Sequence, residues 1–399
     1  MGGGKGGTGK SLVAANLGIH LAQMGRRVVL VDGDLGAANL HTLLGLAGPP
    51  VGLGDFIDRR VPALDDAAVP TGMPRLRLIS GAGNRPETES LKHFQKLRLL
   101  RFLVELRADV VVVDLGAGTS LNVLDLFCVA DQGVLVILPE PTSIENCYRF
   151  IKAAFRRRLL RLARLLGYGP AVGEVLSGRA RGVWDPPPRV PERPREILEA
   201  IAGLGPPAAE ALRAHMDAFL PCLIVNQARG HADVSLGESM RVACDRFLGL
   251  TLRLAGVVPY DPVLVRTVKS RRALLAEYPR SRIAEAFRAA AEEIASARPA
   301  PPAPPPPRAP DGIRSHRRSP YEILEIAPGS SHQRVLAAYM RLRSALRSDS
   351  AALLPLDCER ERRAALAEVE QAFRSLSNSS VLNRPRAPSA RLWPPIPIG

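Results

Sequence analysis

Gly4-Lys5-Gly6-Gly7-Thr8-Gly9-Lys10-Ser11 is a glycine-rich loop with two lysines, and it runs directly into an apolar, helix-forming segment, Ser11 to Gln23. Glycines at these places let successive backbone N–H groups turn toward one anion without Cβ clashes. In such a loop Lys10 reaches the β- and γ-phosphates of a nucleotide and the Ser11 hydroxyl ligates Mg²⁺. Arg27 to Val31 reads as a strand after that helix, so the glycines sit at a helix N-terminus, where the helix dipole favours phosphate. Gly4, Lys5, Gly6, Gly7, Thr8, Gly9, Lys10 and Ser11 are therefore the first candidate nucleotide-binding residues.

Two carboxylate-bearing stretches extend the pattern. Val31-Asp32-Gly33-Asp34-Leu35-Gly36-Ala37-Ala38-Asn39-Leu40 follows the first apolar run, and Asp109-Val110-Val111-Val112-Val113-Asp114-Leu115-Gly116-Ala117-Gly118 closes a second. In open α/β sheets ligands lie at the C-terminal strand ends, so Asp32, Asp34 and Asp114 are expected to converge on phosphate and metal. Asp109, at the start of its strand, reads as a turn residue, and Asp32 admits a capping role beside a metal-linked one. The combination KGGTGKS, DGDLGAANL and VVVDLGAG, followed by Pro139-Glu140-Pro141-Thr142 and Ile224-Val225-Asn226-Gln227, resembles the MinD/ParA/FlhG family of deviant Walker A ATPases over roughly residues 1–297.

The resemblance implies an α/β fold, a doubly wound and mostly parallel P-loop sheet, with ATP and Mg²⁺ as cofactors. It implies that Lys5 is the signature lysine that reaches a partner subunit's phosphates in an ATP-dependent homodimer. Lys10 would hold the phosphates of its own subunit. Asp34 would orient the attacking water, so that Lys5, Lys10 and Asp34 form the catalytic set. Ser11, Asp32 and Asp114 would serve the metal, Gly118 would approach the γ-phosphate, and Asn226 would recognise the adenine edge. Such a protein is expected to hydrolyse ATP slowly as a switch in spatial positioning, whether of a division site, flagella or chromosomes. The other reading is a nucleotide-binding scaffold with negligible hydrolysis.

Family members carry an apolar strand before the loop, whereas only Met1, Gly2 and Gly3 precede Gly4 here. The sheet is thus expected to lack its first strand, with Met1 standing for that strand's last apolar residue and the true start lying upstream. A missing interior strand would leave unpaired backbone groups on both neighbours.

Composition bounds the remainder. The 399 residues are 46% apolar, enough for one large α/β core and an accessory unit. No apolar run approaches a bilayer span, which suits a cytoplasmic protein or one peripheral to the inner membrane. Cys128, Cys147, Cys222, Cys244 and Cys358 form no C-x-x-C pair and read as reduced, mostly buried thiols. Residues 1–150 hold 15 basic and 15 acidic side chains, so the whole net charge of +15 falls on the rest. Its densest basic stretch, Tyr148 to Leu166, sets Arg157, Arg161 and Arg164 opposite the apolar positions Ile151, Phe155, Leu159, Leu162 and Leu166. That face is either a solvated helix surface or one that meets anionic lipid or non-specific DNA.

An insert at about 167–216, with Trp184-Asp185-Pro186-Pro187-Pro188 and Arg193-Pro194-Arg195, is expected to be a surface excursion carrying a helix from Pro206 to Met216. Helices are also expected around Leu236 to Leu248 and over Arg282 to Ser296, with strands over Phe219 to Val225 and Arg253 to Val257. A proline-rich linker at 298–313 then separates a second pattern at 314–380, and residues 381–399 read as a disordered tail. Ser331 to Arg347 and Asp357 to Leu376 read as helices, and roughly 319–378 resembles a DnaJ-type J-domain, a small all-α unit. The loop tripeptide H-P-D of that family is replaced by Arg347-Ser348-Asp349, so a protein-contact role rather than co-chaperone activity is expected. An unidentified protein partner would bind there or at the insert.

Overall fold

The computed structural model describes residues 1–81, 93–177, 190–296, 319–347 and 359–382. They form two compact units, one from the residues up to 296 and one from the two later stretches. In the first, α1 (Lys10–Gln23) leads to β1 (Val28–Gly33), the short helices α2 (Leu40–Leu43) and α3 (Leu53–Ile57), β2 (Val69–Pro70), β3 (Leu76–Ile79) and α4 (His93–Val104). Then come β4 (Val110–Leu115), α5 (Leu121–Val129), β5 (Val134–Ile137), α6 (Pro141–Leu165), α7 (Gly169–Ser177), α8 (Pro194–Ala202) and α9 (Pro206–Asp217). The unit closes with β6 (Cys222–Ala228), α10 (His231–Ala243), β7 (Arg253–Pro259), α11 (Pro262–Ser270), α12 (Leu274–Glu277) and α13 (Arg282–Ser296). A π-turn, Cys244–Leu248, extends α10 over the end of the expected helix.

The apolar runs make parallel strands because both faces are covered, as their unbroken burial shows. One set runs β2-β3-β1-β4, with β2 antiparallel at its edge, and the other runs β5-β6-β7. Between β4 and β5 lie Met1 and Gly2. The Met1 amino group donates to the Val113 carbonyl (2.6 Å) and the Leu115 N–H donates to the Met1 carbonyl (3.1 Å). Gly2 N–H donates to Val134 (2.8 Å) and its carbonyl accepts from Val136 (3.2 Å). These two residues thus pair, over a short length, with both neighbouring strands. A side chain at Gly2 would strike Phe127 and Phe150, whose rings cross edge to face beneath it.

The core gathers Val13, Ala14 and Leu17 of α1, Leu30 of β1, Val136 of β5, Ile224 of β6 and Phe287 of α13, all buried. Helix α13 packs against this core through Ile283, Ala284, Phe287, Ala290 and Ala291, as its apolar spacing requires. The Arg27 guanidinium and backbone N–H grip the Asp109 carboxylate (2.6 and 2.8 Å) where β1 and β4 begin, so Asp109 is a structural residue, as expected. That contact lowers its pKa to about 2. No described helix is long and apolar enough to cross a membrane.

The insert carries the expected helix from Pro206, as α9, and two helices that were not expected, α7 and α8. Together α7, α8 and α9 bury Val172, Leu176, Ile197, Ile201, Leu212 and Met216, and all three pack on α6. Trp184 to Pro188 fall outside the described residues. Of the three arginines of the expected basic face of α6, Arg157 is committed internally, as are its neighbours Arg156 and Arg158. Arg156 donates to the carbonyls of Leu176 (2.9 Å) and Pro191 (3.3 Å), Arg157 grips Asp125 of α5 (2.5 and 2.9 Å), and Arg158 donates to the Cys128 carbonyl (3.3 Å). Arg161 and Arg164 remain exposed, and so does Leu166, which lies past the last buried turn. Asp125 also binds Lys96 of α4, which ties three helices at one buried carboxylate. Cys128, Cys147, Cys222 and Cys244 are buried free thiols, as expected, and burial raises the pKa of each. Cys358 falls outside the described residues.

The second unit holds α14 (Pro320–Leu324), α15 (His332–Ala345) and α16 (Glu359–Leu382). Ser319 and Ser331 cap the first two, and Leu324, Val335, Ala338, Leu342, Val369 and Ala372 form the core. Tyr339 stacks on Phe373 with ring centroids 4.1 Å apart. Helix α16 runs to Leu382, two residues into the stretch expected to be tail. The linker, Ser348, Asp349 and residues 383–399 lie outside the described residues.

Phe287→Ala should cost about 3–5 kcal/mol in urea denaturation, the usual loss for a fully buried phenylalanine. Asp109→Asn should give a pH-dependent loss. A carboxyl held below its unfolded pKa contributes stability above that pKa and loses it as pH falls through the folded one. The melting temperatures of wild type and variant should therefore differ at pH 7 and converge between about pH 4 and pH 2. Salt should shrink the difference, because the pair is exposed.

Candidate nucleotide site

The chain leaves the Met1–Gly2 bridge at the C-terminal ends of β4 and β5 and turns into the glycine loop. Gly7 and Gly9 sit at φ 76° and 86°, a left-handed region that strains any residue with a Cβ. Gly9 caps α1 without a side-chain hydrogen bond, so the loop's backbone and not a side chain faces the first turn of the helix. Lys10 is held inward, its Nζ donating to the Lys5 carbonyl at 3.2 Å. Burial lowers its pKa, while the nearby Asp114 and Asp34 carboxylates push it the other way.

Two aspartates, Asp114 and Asp34, lie near this lysine, and Asp32 adjoins them. Asp32 and Asp114 are register partners on neighbouring parallel strands. Asp114 is buried and accepts from the Ser11 hydroxyl, and its Oδ1 has no partner; burial raises its pKa. Asp34 lies above Gly116, where an added Cβ would stand 3.3 Å from its Oδ1. Gly118 turns at φ 89° in the same loop. Asp32 is wholly buried, and burial raises its pKa to about 7. Its two oxygens accept from Leu40 (3.1 Å) and Asp34 (3.4 Å), so it staples the loop at 34–40 to β1.

Mg²⁺ takes oxygen ligands and keeps several waters and phosphate oxygens. The orphaned Asp114 oxygen beside the Ser11 hydroxyl fits such an ion. Asp32 fits less well, since both its oxygens are engaged by backbone. Among the described residues no group of three or more His, Cys, Asp or Glu side chains could hold a metal alone. Most of the ion's ligands must therefore come from phosphate and water.

Two candidates stand apart from this group. Lys5 points outward, its Nζ donating to Glu140 Oε2 (2.8 Å) and Thr142 Oγ1 (3.0 Å) at the start of α6. Asn226 is fully buried at the end of β6. Its Nδ2 donates to the Thr8 carbonyl (2.9 Å), and its Oδ1 accepts from Gln227 N–H (3.0 Å). Both partners fix the orientation of the amide, and both are backbone groups of this chain. Asn226 thus braces the phosphate loop, a duty different from the expected reading of an adenine edge. Gln227, next to it, holds a strained positive φ of 60°. Glu140 and Thr142 were visible as a motif in the sequence, but nothing local joined them to a lysine 135 residues earlier.

Residues 1–275 match the CobQ/CobB/MinD/ParA nucleotide binding domain. The chain belongs to this family. The antiactivator FleN of Pseudomonas aeruginosa is 29% identical over 296 residues, 74% of this chain and 84% of FleN. The septum site-determining protein MinD of Synechocystis is 32% identical over 149 residues, 37% of this chain and 55% of that relative. The chain therefore spans about half the length of that MinD. Among solved structures, Pyrococcus horikoshii MinD complexed with Mg-ADP shares 22% identity, with 73% of this chain and 93% of that one covered and a TM-score of 0.46. Pyrococcus furiosus cell division ATPase MinD also shares 22%, covering 74% and 96% with a TM-score of 0.48. The family match ends within α12, before α13 begins, and does not reach the second unit, so it says nothing of a J-type domain there.

Asn226→Ala should cost about 1–3 kcal/mol in urea denaturation, because it leaves the Thr8 carbonyl without its buried donor. It should also raise the Kd for ADP in calorimetry, since the loop it braces is the phosphate cradle of this family.

Proposed function

We propose that this protein is an ATP-hydrolysing switch that dimerises around its nucleotides and serves in spatial positioning. The observation that carries the reading is the unequal treatment of the two loop lysines. Lys10 is drawn into the aspartate cluster, while Lys5 extends from the same loop toward the surface with its side chain 36% exposed. A cation that is turned away from its own site but sits on the rim of that site suits a neighbouring subunit's phosphates.

In this mechanism Lys10 neutralises the β- and γ-phosphates of its own nucleotide, and Ser11 with Asp114 holds Mg²⁺. The ion, when bound, withdraws charge from the phosphate oxygens. Asp34 orients the attacking water, and the Gly116–Gly118 loop approaches the γ-phosphate. Lys5 of each subunit adds a second positive charge to the other's phosphates. Phosphoryl transfer asks for little beyond such positioning and charge, so the residue set suffices for slow turnover. The name of one relative, a septum site-determining protein, supports positioning as the use to which the switch is put.

Light scattering on the full chain with ATP and Mg²⁺ should show a dimer. Asp34→Ala should stabilise that dimer and abolish phosphate release, and Lys5→Ala should leave a monomer that still binds ATP. A wild-type protein that stays monomeric at every ATP concentration would favour the scaffold reading.

A further inference from the structure

The motif Pro139-Glu140-Pro141-Thr142 is left without a duty by the mechanism above, yet it holds that mechanism's outward-pointing lysine. We propose that Glu140 is a positioning residue: with Thr142 it forms a latch that parks Lys5 against its own subunit and restrains dimerisation until nucleotide on a second copy competes for the lysine. The inference rests on the switch reading of Lys5.

Glu140 occupies the N-cap of α6 with Pro141 at the first helical position, and its carbonyl accepts from Ser143 and Ile144 (both 3.0 Å). Its side chain makes no capping bond. The carboxylate is therefore not needed to start the helix, and its structural partner is Lys5. The hydroxyl of Thr142, one turn-start further on, takes a second proton of the same ammonium. Both acceptors belong to one rigid helix end, so they fix a direction for Lys5 and not merely a charge.

The loop is pressed onto that helix end. A Cβ at Gly4 would lie 2.3 Å from the Asn146 carbonyl oxygen, so glycine alone lets the backbone bring Lys5 within reach of Thr142 and Glu140. The Lys5 carbonyl meanwhile accepts from Lys10. One residue thus helps hold the inner lysine through its backbone and is itself held outward through its side chain.

The contact is built to be given up. Lys5 and Glu140 are 36% and 51% exposed, and an ion pair in that setting is weak and screened. A single carboxylate competes poorly with a triphosphate for the same ammonium. Each dimer requires two latches to open, so the effect of one contact enters squared. If one exposed pair shifts an equilibrium by about two- to fivefold, the dimer constant moves by about four- to 25-fold.

Two measurements on the full chain test this. Zero-length carbodiimide coupling joins a lysine amine to a carboxylate in contact, and six of the chain's 54 basic residues are lysines, which makes the products easy to assign. Mass spectrometry should find a Lys5–Glu140 crosslink without nucleotide, and its yield should fall when ATP and Mg²⁺ are added. Glu140→Gln keeps the side-chain volume and the backbone cap, and at saturating ATP it should lower the protein concentration at half-dimerisation by about four- to 25-fold. Lys5→Ala/Glu140→Gln should behave as Lys5→Ala. The latch is overturned by an absent crosslink, by a crosslink that ATP leaves unchanged in a protein that dimerises, or by a Glu140→Gln midpoint that is unchanged or higher. A chain that gives the crosslink but never dimerises refutes the switch, and with it the latch's purpose, while leaving the Lys5–Glu140 contact demonstrated.

Discussion

Four backbone hydrogen bonds made by Met1 and Gly2 are the constraint on which the rest of the first unit depends. They join a sheet that carries Asp32 and Asp114 to one that carries Asn226, and the phosphate loop begins where they end. The loop is therefore located by the seam between the two halves. Loop, aspartates and brace share one place because each leaves a strand at its C-terminal end, on the same side of that seam. The price of the arrangement is backbone crowding: Gly2 lies on two phenylalanine rings and Gly4 on the first turns of α6.

Most of this was legible because parallel strands and their flanking helices write themselves in period and burial. Val28 to Gly33 and Val110 to Leu115 are apolar runs that end in aspartate, and α13 keeps its apolar stripe over the whole of Arg282–Ser296. Prolines hid the insert. Pro194 was read as part of a surface excursion, yet like Pro206, where a helix was expected to start, it sits in the first turn of a helix, where a missing N–H costs nothing and the fixed φ is already helical. The same residue begins α6 and α11. The apolar positions that follow these prolines, Ile197, Ile201, Leu212 and Met216, have helical spacing and are the better guide.

Charge was the less readable quantity. Of the basic face read at Arg157, Arg161 and Arg164, the last two are exposed, but Arg157 and its neighbours Arg156 and Arg158 turn inward, because a guanidinium has five donors and helix ends offer carbonyls to meet them. These three inward arginines are used to bind neighbouring elements of the same unit, two of them to backbone carbonyls. Sequence gives the sign and density of charge and says nothing of which groups a fold will place within reach. Asn226 illustrates the same limit: its position at a strand end was clear, but whether its amide meets a base or the Thr8 carbonyl depends on a loop 218 residues away.

The choice of lysine at position 5 is informative against this background, since the chain uses arginine for 48 of its 54 basic residues. Arginine facing Glu140 could form a paired fork of hydrogen bonds, a planar match that is strong and tied to one orientation. Lysine offers a compact charge with three donors that rotate freely, so it can exchange a carboxylate and a hydroxyl for phosphate oxygens without rebuilding a geometry. Where this chain needs helices fastened, as at Asp125, arginine takes part in the fastening. At position 5, on the rim of the nucleotide site, it carries the side chain whose grip on a carboxylate is the easier to release.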